Sequence, residues 1–322
     1  MEIKEINIAS EKAYLLRNEN LEVVISSLGA GIYSLKYQGK DMVVVPNDFL
    51  LYCYSDGYFG KTVGRIAGRV EKGILNFDSN EYQLSTNENG NTLHSGGAGF
   101  SFQHFEGKIK ENELILSFDS EDGDGGFPGN LHLDVIYTLS NDSLVVRFES
   151  ISDMDTPVNF TNHSYFNLGE DSVSDLTLSL ASNEVEKYKD GLIPLGLEKA
   201  KPCLDFRKGK KISEDINDAY LYLSGTNGYD HCFLLNEEKE GEPPISLSGR
   251  NVRMDVFSTL PAVQIYSSNF FPASLTMNTG EPFYARHSVA IEPVYVPCDY
   301  KSMMNEKNKK KINSIRYMFS KI

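Results

Sequence analysis

Basic residues are in short supply in this chain. Its 31 Lys and Arg face 45 Asp and Glu, leaving a formal net charge of −14 over 322 residues. Nucleic acid and anionic membrane surfaces both reward clustered positive charge, so neither is expected as a partner. Cysteine is also scarce: Cys53, Cys203, Cys232 and Cys298 lie far apart, with no CxxC pair. That spacing argues against a zinc site or a disulfide frame and reads as buried or free thiols. Long apolar runs are missing as well. The opening MEIKEINIASEK lacks the apolar core of a signal peptide, and no stretch approaches the length of a membrane span. A cytoplasmic protein is expected.

Sustained helical periodicity is equally rare. The best candidate, KISEDINDAYLYL over residues 211–223, is short and only moderately amphipathic. Short alternating runs fill the chain instead. Leu131, Leu133, Val135, Tyr137 and Leu139 share one parity, as do Leu114, Leu116 and Phe118, and Val252, Met254 and Val256. Period two over this length means strands with one face turned inward. Turn signals separate them at Gly39-Lys40, Ser79-Asn80, Glu88 to Asn91 and Asn141-Asp142. Many strands with little helix predict an all-β fold, a large antiparallel sandwich. No linker, repeat or low-complexity tract divides it, so residues 1–322 are expected to form one domain. No heptad or apolar patch declares an interface, which leaves a monomer or a homodimer.

Two segments carry misleading signals. Glu121 to Asn130 reads EDGDGGFPGN, and its Asp-x-Asp-Gly opening looks like the start of a calcium loop. The EF-hand pattern requires a terminal Glu where Leu133 stands, so a Gly-rich surface loop is the better reading. The basic run KNKKK at 307–311 reads as a solvated turn rather than a binding patch.

Six histidines are present, and their settings differ. His163 lies in NFTNHSYFNLGE, His94 in NTLHSGG before a flexible Gly pair, and His231 follows Asp230 in GYDHCFLL. His104, His132 and His287 sit among ordinary polar or strand residues. A satisfied structural histidine is the default for any one of them, so the carboxylates decide. Glu292 sits in the otherwise apolar SVAIEPVYVP, sharing parity with Ala290 and opposing Val289 and Ile291. An acid so placed either pairs with a cation or faces a cavity, and partial desolvation makes it a better base. Asp230, taken alone, reads as a turn residue. Arg65 and Arg69 share parity if GRIAGR is extended, so both could face one pocket, where a guanidinium fork suits vicinal hydroxyls or a carboxylate. Gln264 and Tyr266 share the face opposite Val263 and Ile265, which suits either a sugar platform or a solvated sheet face.

Eight segments occur in one order: GKTVGRIAGRV, NTLHSGG, DGDGGFPGNL, TPVNFTNHSYFNL, the LDFRKGKKI stretch, GYDHCFLL, LPAVQIYSSNF and the AIEP step. In these, and over nearly its whole length, the chain resembles the galactose mutarotase (aldose 1-epimerase) family. The resemblance implies a large twisted β-sandwich with a monosaccharide in an open cleft on one sheet, and no metal or organic cofactor. By position it makes Glu292 the general base and His163 the general acid. It makes His94, Arg69, Asp230 and Gln264 the groups that bind sugar hydroxyls. The chain departs from the family pattern at Gly68, where the family often has Asn, and in the segment after Glu292. Both departures bear on which sugar is preferred.

The implied chemistry needs an acid and a base. A pyranose changes anomer by opening to the aldehyde, rotating about C1–C2 and closing on the other face. Opening removes the proton on O1 and adds one to the ring oxygen, and each positioned transfer is worth ~10²–10⁴-fold. A carboxylate and an imidazolium supply both, with a neighbour such as Asp230 expected to hold the imidazole protonated. A phosphohexose epimerase would instead need several cations converging on the cleft.

Overall fold

The fold is known from a computed structural model that describes residues 1–237, 241–271 and 276–322. The alternating runs are strands, and they assemble into the expected antiparallel β-sandwich. A nine-stranded sheet runs from Glu106–Lys110 at one edge to Lys210–Lys211 at the other, with Leu131–Ser140, Ser143–Ser152 and Lys311–Lys321 at its centre. A seven-stranded sheet places its strands in the order Ile193–Lys199, Ser182–Lys189, Asp230–Leu235, Ala262–Tyr266, Val289–Val294, Tyr165–Phe166 and Val43–Val44. The ladders within both sheets are antiparallel. A five-stranded meander over Glu2–Asp41 adds its own apolar face to the same core.

Parity explains which side chains meet. Leu131, Leu133, Val135, Tyr137 and Leu139 of the large sheet share one buried cluster with Phe233, Val263, Ile265, Val289 and Ile291 of the smaller one. Burying an aliphatic side chain of this size stabilises the fold by ~1.5–3 kcal/mol. Because the side-chain period is two, fixing Val263, Ile265, Val289 and Ile291 inward turns Gln264, Tyr266, Ala290 and Glu292 to the opposite face. That outer face carries the cleft. Turns fall where the sequence places them: Asn141 and Ser79 adopt positive φ between hairpin strands, and Gly39 does the same.

Several expectations change in detail. Of residues 211–223, only Ala219–Leu223 is helical, because Asp218 caps it and accepts the Tyr220 N–H. The preceding residues form turns that drop Ile212 and Ile216 into the core. In the basic run, Lys307, Lys309 and Lys310 are exposed, with Lys309 paired to Glu306 and Lys310 to Glu149. Lys311 instead starts a strand and donates to the Ser302 and Met304 carbonyls. In the Glu121–Asn130 loop, Asp124 accepts from the Ser120 hydroxyl and the Glu121 N–H, and Asp122 accepts from the Gly129 N–H. These acids brace the loop, whose Phe127 is buried in a small core of its own.

Arg65 and Arg69 do not face one pocket. The segment between the Thr62–Val63 and Arg69–Val70 strands is irregular, so parity fails across it. Arg65 is only 1% exposed and donates to the carbonyls of Ser120, Glu121 and Pro128 and to the Ser120 hydroxyl. It ties the Gly-rich loop to the sandwich. Arg65→Met leaves those carbonyls without donors, each costing ~1–3 kcal/mol. Denaturant unfolding should show a loss of at least about 3 kcal/mol, while the folded fraction keeps the parent kcat and KM.

Candidate active site

One row of residues runs across the seven-stranded sheet. Cys232 pairs with Gln264, and Gln264 pairs with Glu292. Tyr165 pairs with Ala290, so continuing that antiparallel register by two residues sets His163 opposite Glu292. The next row is Asp230, Tyr266, Ala290 and Tyr165. Two adjacent rows of one sheet face therefore supply Glu292, His163, Gln264 and Asp230. Arg69 and His94 arrive from elsewhere, through the two-residue ladder in which Leu93 pairs with Arg69. All six line one cleft of about 620 Å³, inside the range usual for small-molecule sites.

His163 and Glu292 touch. Nε2 of the imidazole lies 3.4 Å from Oε1 of the carboxyl group, and the residues are 5% and 2% exposed. Burial penalises the charged form of each. It raises the Glu292 carboxyl well above its ordinary value, with the Asp230 charge adding to the rise. It pushes His163 down to about 4. Tyr58, His94 and Tyr165 surround the imidazole with ring centroids 5.0–5.9 Å away, and they account for its dryness. The carboxylate beside His163 is thus Glu292. Asp230 does not hold the imidazole protonated, as the sequence suggests it would; it faces Arg69 and Gln264 instead.

His94 is set as a donor. Its Nδ1 accepts the Gly68 N–H at 3.1 Å while its backbone N–H donates to the Gly68 carbonyl at 3.0 Å. The ring proton therefore resides on Nε2. Burial first, then His163 and Arg69, keep this imidazole neutral. Gly68 has φ +88°, and a Cβ there would meet nothing within 4 Å, so its position leaves open space beside Arg69.

Arg69 is clamped by a residue read from the sequence only as a turn. Glu88 accepts from Nε at 2.6 Å and from Nη2 at 2.9 Å. The same turn carries Asn87, which brackets Leu93 by accepting its N–H and donating to its carbonyl. A single loop thus aims both Arg69 and His94. Nothing in a lone Glu within NENGN marks it as a clamp, since its partner lies 19 residues away. Asp230, with its carboxyl pushed up to about 6, owes the rise to burial, against the pull of Arg69 and the Gln264 hydrogen bond. Gln264 donates from Nε2 to Asp230 Oδ1 at 2.6 Å. Tyr266 lines the cleft beside Gln264, as their parity suggests, whereas His231 is buried on the core side with Nδ1 accepting the Asp230 N–H. His104 and His132 pair with Glu11 and Asp119, and His287 is buried away from the cleft.

The chain also matches known proteins. A family model described as aldose 1-epimerase matches residues 12–303. The chain belongs to the aldose 1-epimerase family. It is 34% identical over 289 residues to galactose mutarotase of Rattus norvegicus, covering 85% of this chain and 82% of that one. It is 33% identical over 302 residues to aldose 1-epimerase of Escherichia coli K12, covering 88% and 85%. Its fold is similar to the crystal structure of galactose 1-epimerase from Lactobacillus acidophilus, with a TM-score of 0.89 and 26% identity over 99% of this chain and 98% of that one. Among the described residues, no group of three His, Cys, Asp or Glu is placed to hold a metal ion, and no helix is long and apolar enough to cross a membrane. Cys53, Cys203 and Cys232 are buried and Cys298 is exposed, all as free thiols.

The proton shared by Glu292 and His163 has a measurable consequence. Between the ordinary values of the two groups, 4.5 and 6.5, the folded pair and the unfolded chain each hold about one proton. Above the ordinary histidine value the unfolded chain has released both, while the raised Glu292 carboxyl holds the folded pair's proton to higher pH than an unfolded carboxyl would. Stability from this pair therefore falls as pH rises above the ordinary histidine value. In Glu292→Gln the fall is absent, so in thermal unfolding the Tm difference between variant and wild type should shift in the variant's favour as pH rises above the ordinary histidine value.

Proposed function

We propose that this protein interconverts the α and β anomers of a free hexose such as galactose or glucose, acting as an aldose 1-epimerase. The observation that carries the reading is the buried contact between His163 and Glu292 among the residues that line the cleft. Between them the two groups hold one proton. When it lies on His163, Glu292 is a carboxylate that takes the proton from O1 while the imidazolium gives its own to the ring oxygen. The C1–O5 bond breaks and the aldehyde forms. After rotation about C1–C2 the transfers reverse, O5 adds to the other face of C1, and the pair regains its starting state. In the empty site, burial favours the neutral partition, with the proton on Glu292. A bound sugar brings hydroxyls that solvate the charged partition, one proton hop away.

His94, Arg69, Asp230 and Gln264 serve in this reading as the ligands of the remaining hydroxyls. His94 donates through Nε2 and Asp230 accepts, while Arg69 offers the nitrogen that Glu88 leaves free. Charge speaks for a neutral sugar over a phosphorylated one. Asp56, Glu88, Asp230 and Glu292 line the cleft, and Arg69 is the sole Lys or Arg among its described lining residues. Glu88 already occupies that guanidinium on two nitrogens. A phosphate dianion would meet repulsion and no cradle. The reading takes residues 1–322 as one cytoplasmic catalytic unit, a monomer or homodimer, that needs no metal or organic cofactor.

Polarimetry on freshly dissolved α-D-galactose and α-D-glucose tests it. Wild type should speed the decay of rotation, and chelators should leave that rate unchanged. Glu292→Gln and His163→Asn should each lower kcat ~10²–10⁴-fold while KM moves little. A Glu292→Gln enzyme with near-normal turnover would remove the carboxyl group from the chemistry.

A further inference from the structure

The Ser182–Lys189 strand carries a bulge between Lys187 and Tyr188 where it pairs with Ile193–Lys199. Buried Glu186 fastens the bulge, its Oε1 accepting the N–H groups of Leu195 and Gly196. On the other side, the register with the Asp230–Leu235 strand ends at the pair Val185 and Phe233. Tyr188 folds over at that point, and its phenol oxygen accepts the Cys232 N–H at 3.1 Å. Bulges beside active sites commonly re-aim a side chain in this way. The phenol oxygen lies 3.5 Å from Gln264 Oε1, to which its hydroxyl donates, and the other end of that amide donates to Asp230 at 2.6 Å.

We propose that Tyr188 is a positioning residue for epimerisation: its hydroxyl fixes the Gln264 amide in the orientation that keeps Asp230 an acceptor for a sugar hydroxyl. The proposal rests on the reading of the cleft as the aldose site. An amide offers a carbonyl at one end and two N–H donors at the other, with similar shapes. Turned the other way, Gln264 would place its carbonyl oxygen against the Asp230 carboxylate, an arrangement tolerable only with Asp230 protonated. The Tyr188 hydroxyl, with its oxygen already accepting from Cys232, selects the first orientation by donating to Oε1.

The groups facing Asp230 make this selection matter. Arg69 and the Gln264 N–H favour the carboxylate; burial and Glu88 oppose it. Glu292 and the phenols of Tyr165, Tyr188 and Tyr266 also feel its charge and draw no cation towards it. Releasing the Gln264 donor removes one of the two stabilising neighbours, so Asp230 would take up a proton at higher pH.

The test is Tyr188→Phe, which deletes one oxygen and keeps the ring, followed by polarimetry across the acid and neutral range. KM should rise roughly fivefold, the net effect of one hydrogen bond, with kcat within about twofold of wild type. The acid limb of kcat/KM should move to higher pH. In a Gln264→Ala background the same substitution should change none of these, because no amide remains to orient. A Tyr188→Phe enzyme that loses kcat in step with kcat/KM, or keeps its acid limb in place, would overturn the proposal. So would equal effects in the two backgrounds. The Gln264 side-chain amide resonances of the unsubstituted protein, assigned by their loss in Gln264→Ala, give a second readout. N–H shifts that follow Asp230 titration in the unsubstituted protein and lose that dependence in Tyr188→Phe support the proposal, and shifts that follow it equally in both contradict it. If wild type turns over neither sugar, the aldose reading fails, while these resonances still decide whether the amide is fixed.

Discussion

The contact between His163 and Glu292 is the constraint around which the site is arranged. Neither group would be placed in so dry a setting for stability alone, since an ionised carboxylate or imidazole loses several kcal/mol on leaving water. The pair meets that cost by holding one proton between two bases, so that a neutral partition always exists. Its surroundings preserve the condition. Tyr58, His94 and Tyr165 exclude water from the imidazole, and His94 stays neutral, adding no charge beside it. The one Lys or Arg among the cleft's described lining residues, Arg69, is held by Glu88 and acts on Asp230.

Register makes the contact possible. His163 and Glu292 come from segments well over a hundred residues apart, and they meet because the Tyr165–Phe166 and Val289–Val294 strands are neighbours in one antiparallel ladder. A slip by one residue would turn Glu292 into the core and Ile291 into the cleft. The hydrophobic cluster between the sheets forbids that slip, with Val263, Ile265, Val289 and Ile291 all buried at 0% exposure. The same packing that stabilises the sandwich therefore sets the distance on which proton transfer depends. Groups outside the ladder are aimed by other means. Gly60 donates its N–H to the His163 carbonyl, and at φ +68° its Cα lies so close to Ile32 that a Cβ would sit 1.9 Å from the Ile32 carbonyl oxygen.

Much of this is written locally in the sequence. The two-residue period of AVQIY and SVAIEPV assigns Gln264 and Glu292 to the face opposite the core without any knowledge of the partner strands. An acid in an apolar strand likewise identifies itself. What local pattern does not carry is contact across long separations. GRIAGR reads as one extended run, yet an irregular backbone sends Arg65 under the Gly-rich loop and Arg69 into the cleft. Glu88 looks like a turn residue because its role lies in a guanidinium on another strand. Tyr188 gives no signal at all, since its position depends on a bulge, and bulges are not set by hydrophobic period. The expectation that Asp230 charges His163 fails for the same reason: sequence names the carboxylates but not which imidazole each one faces.

The charge state of His163 in the unliganded protein tests the account most directly. Nitrogen-15 NMR of the imidazole, assigned by its absence in His163→Asn, separates a neutral ring from an imidazolium. At about neutral pH the ring should be neutral, with one protonated and one unprotonated nitrogen and no titration until well into the acid range. An imidazolium at that pH, ion-paired with an ionised Glu292, would contradict the central claim that burial holds this pair in its neutral, single-proton form.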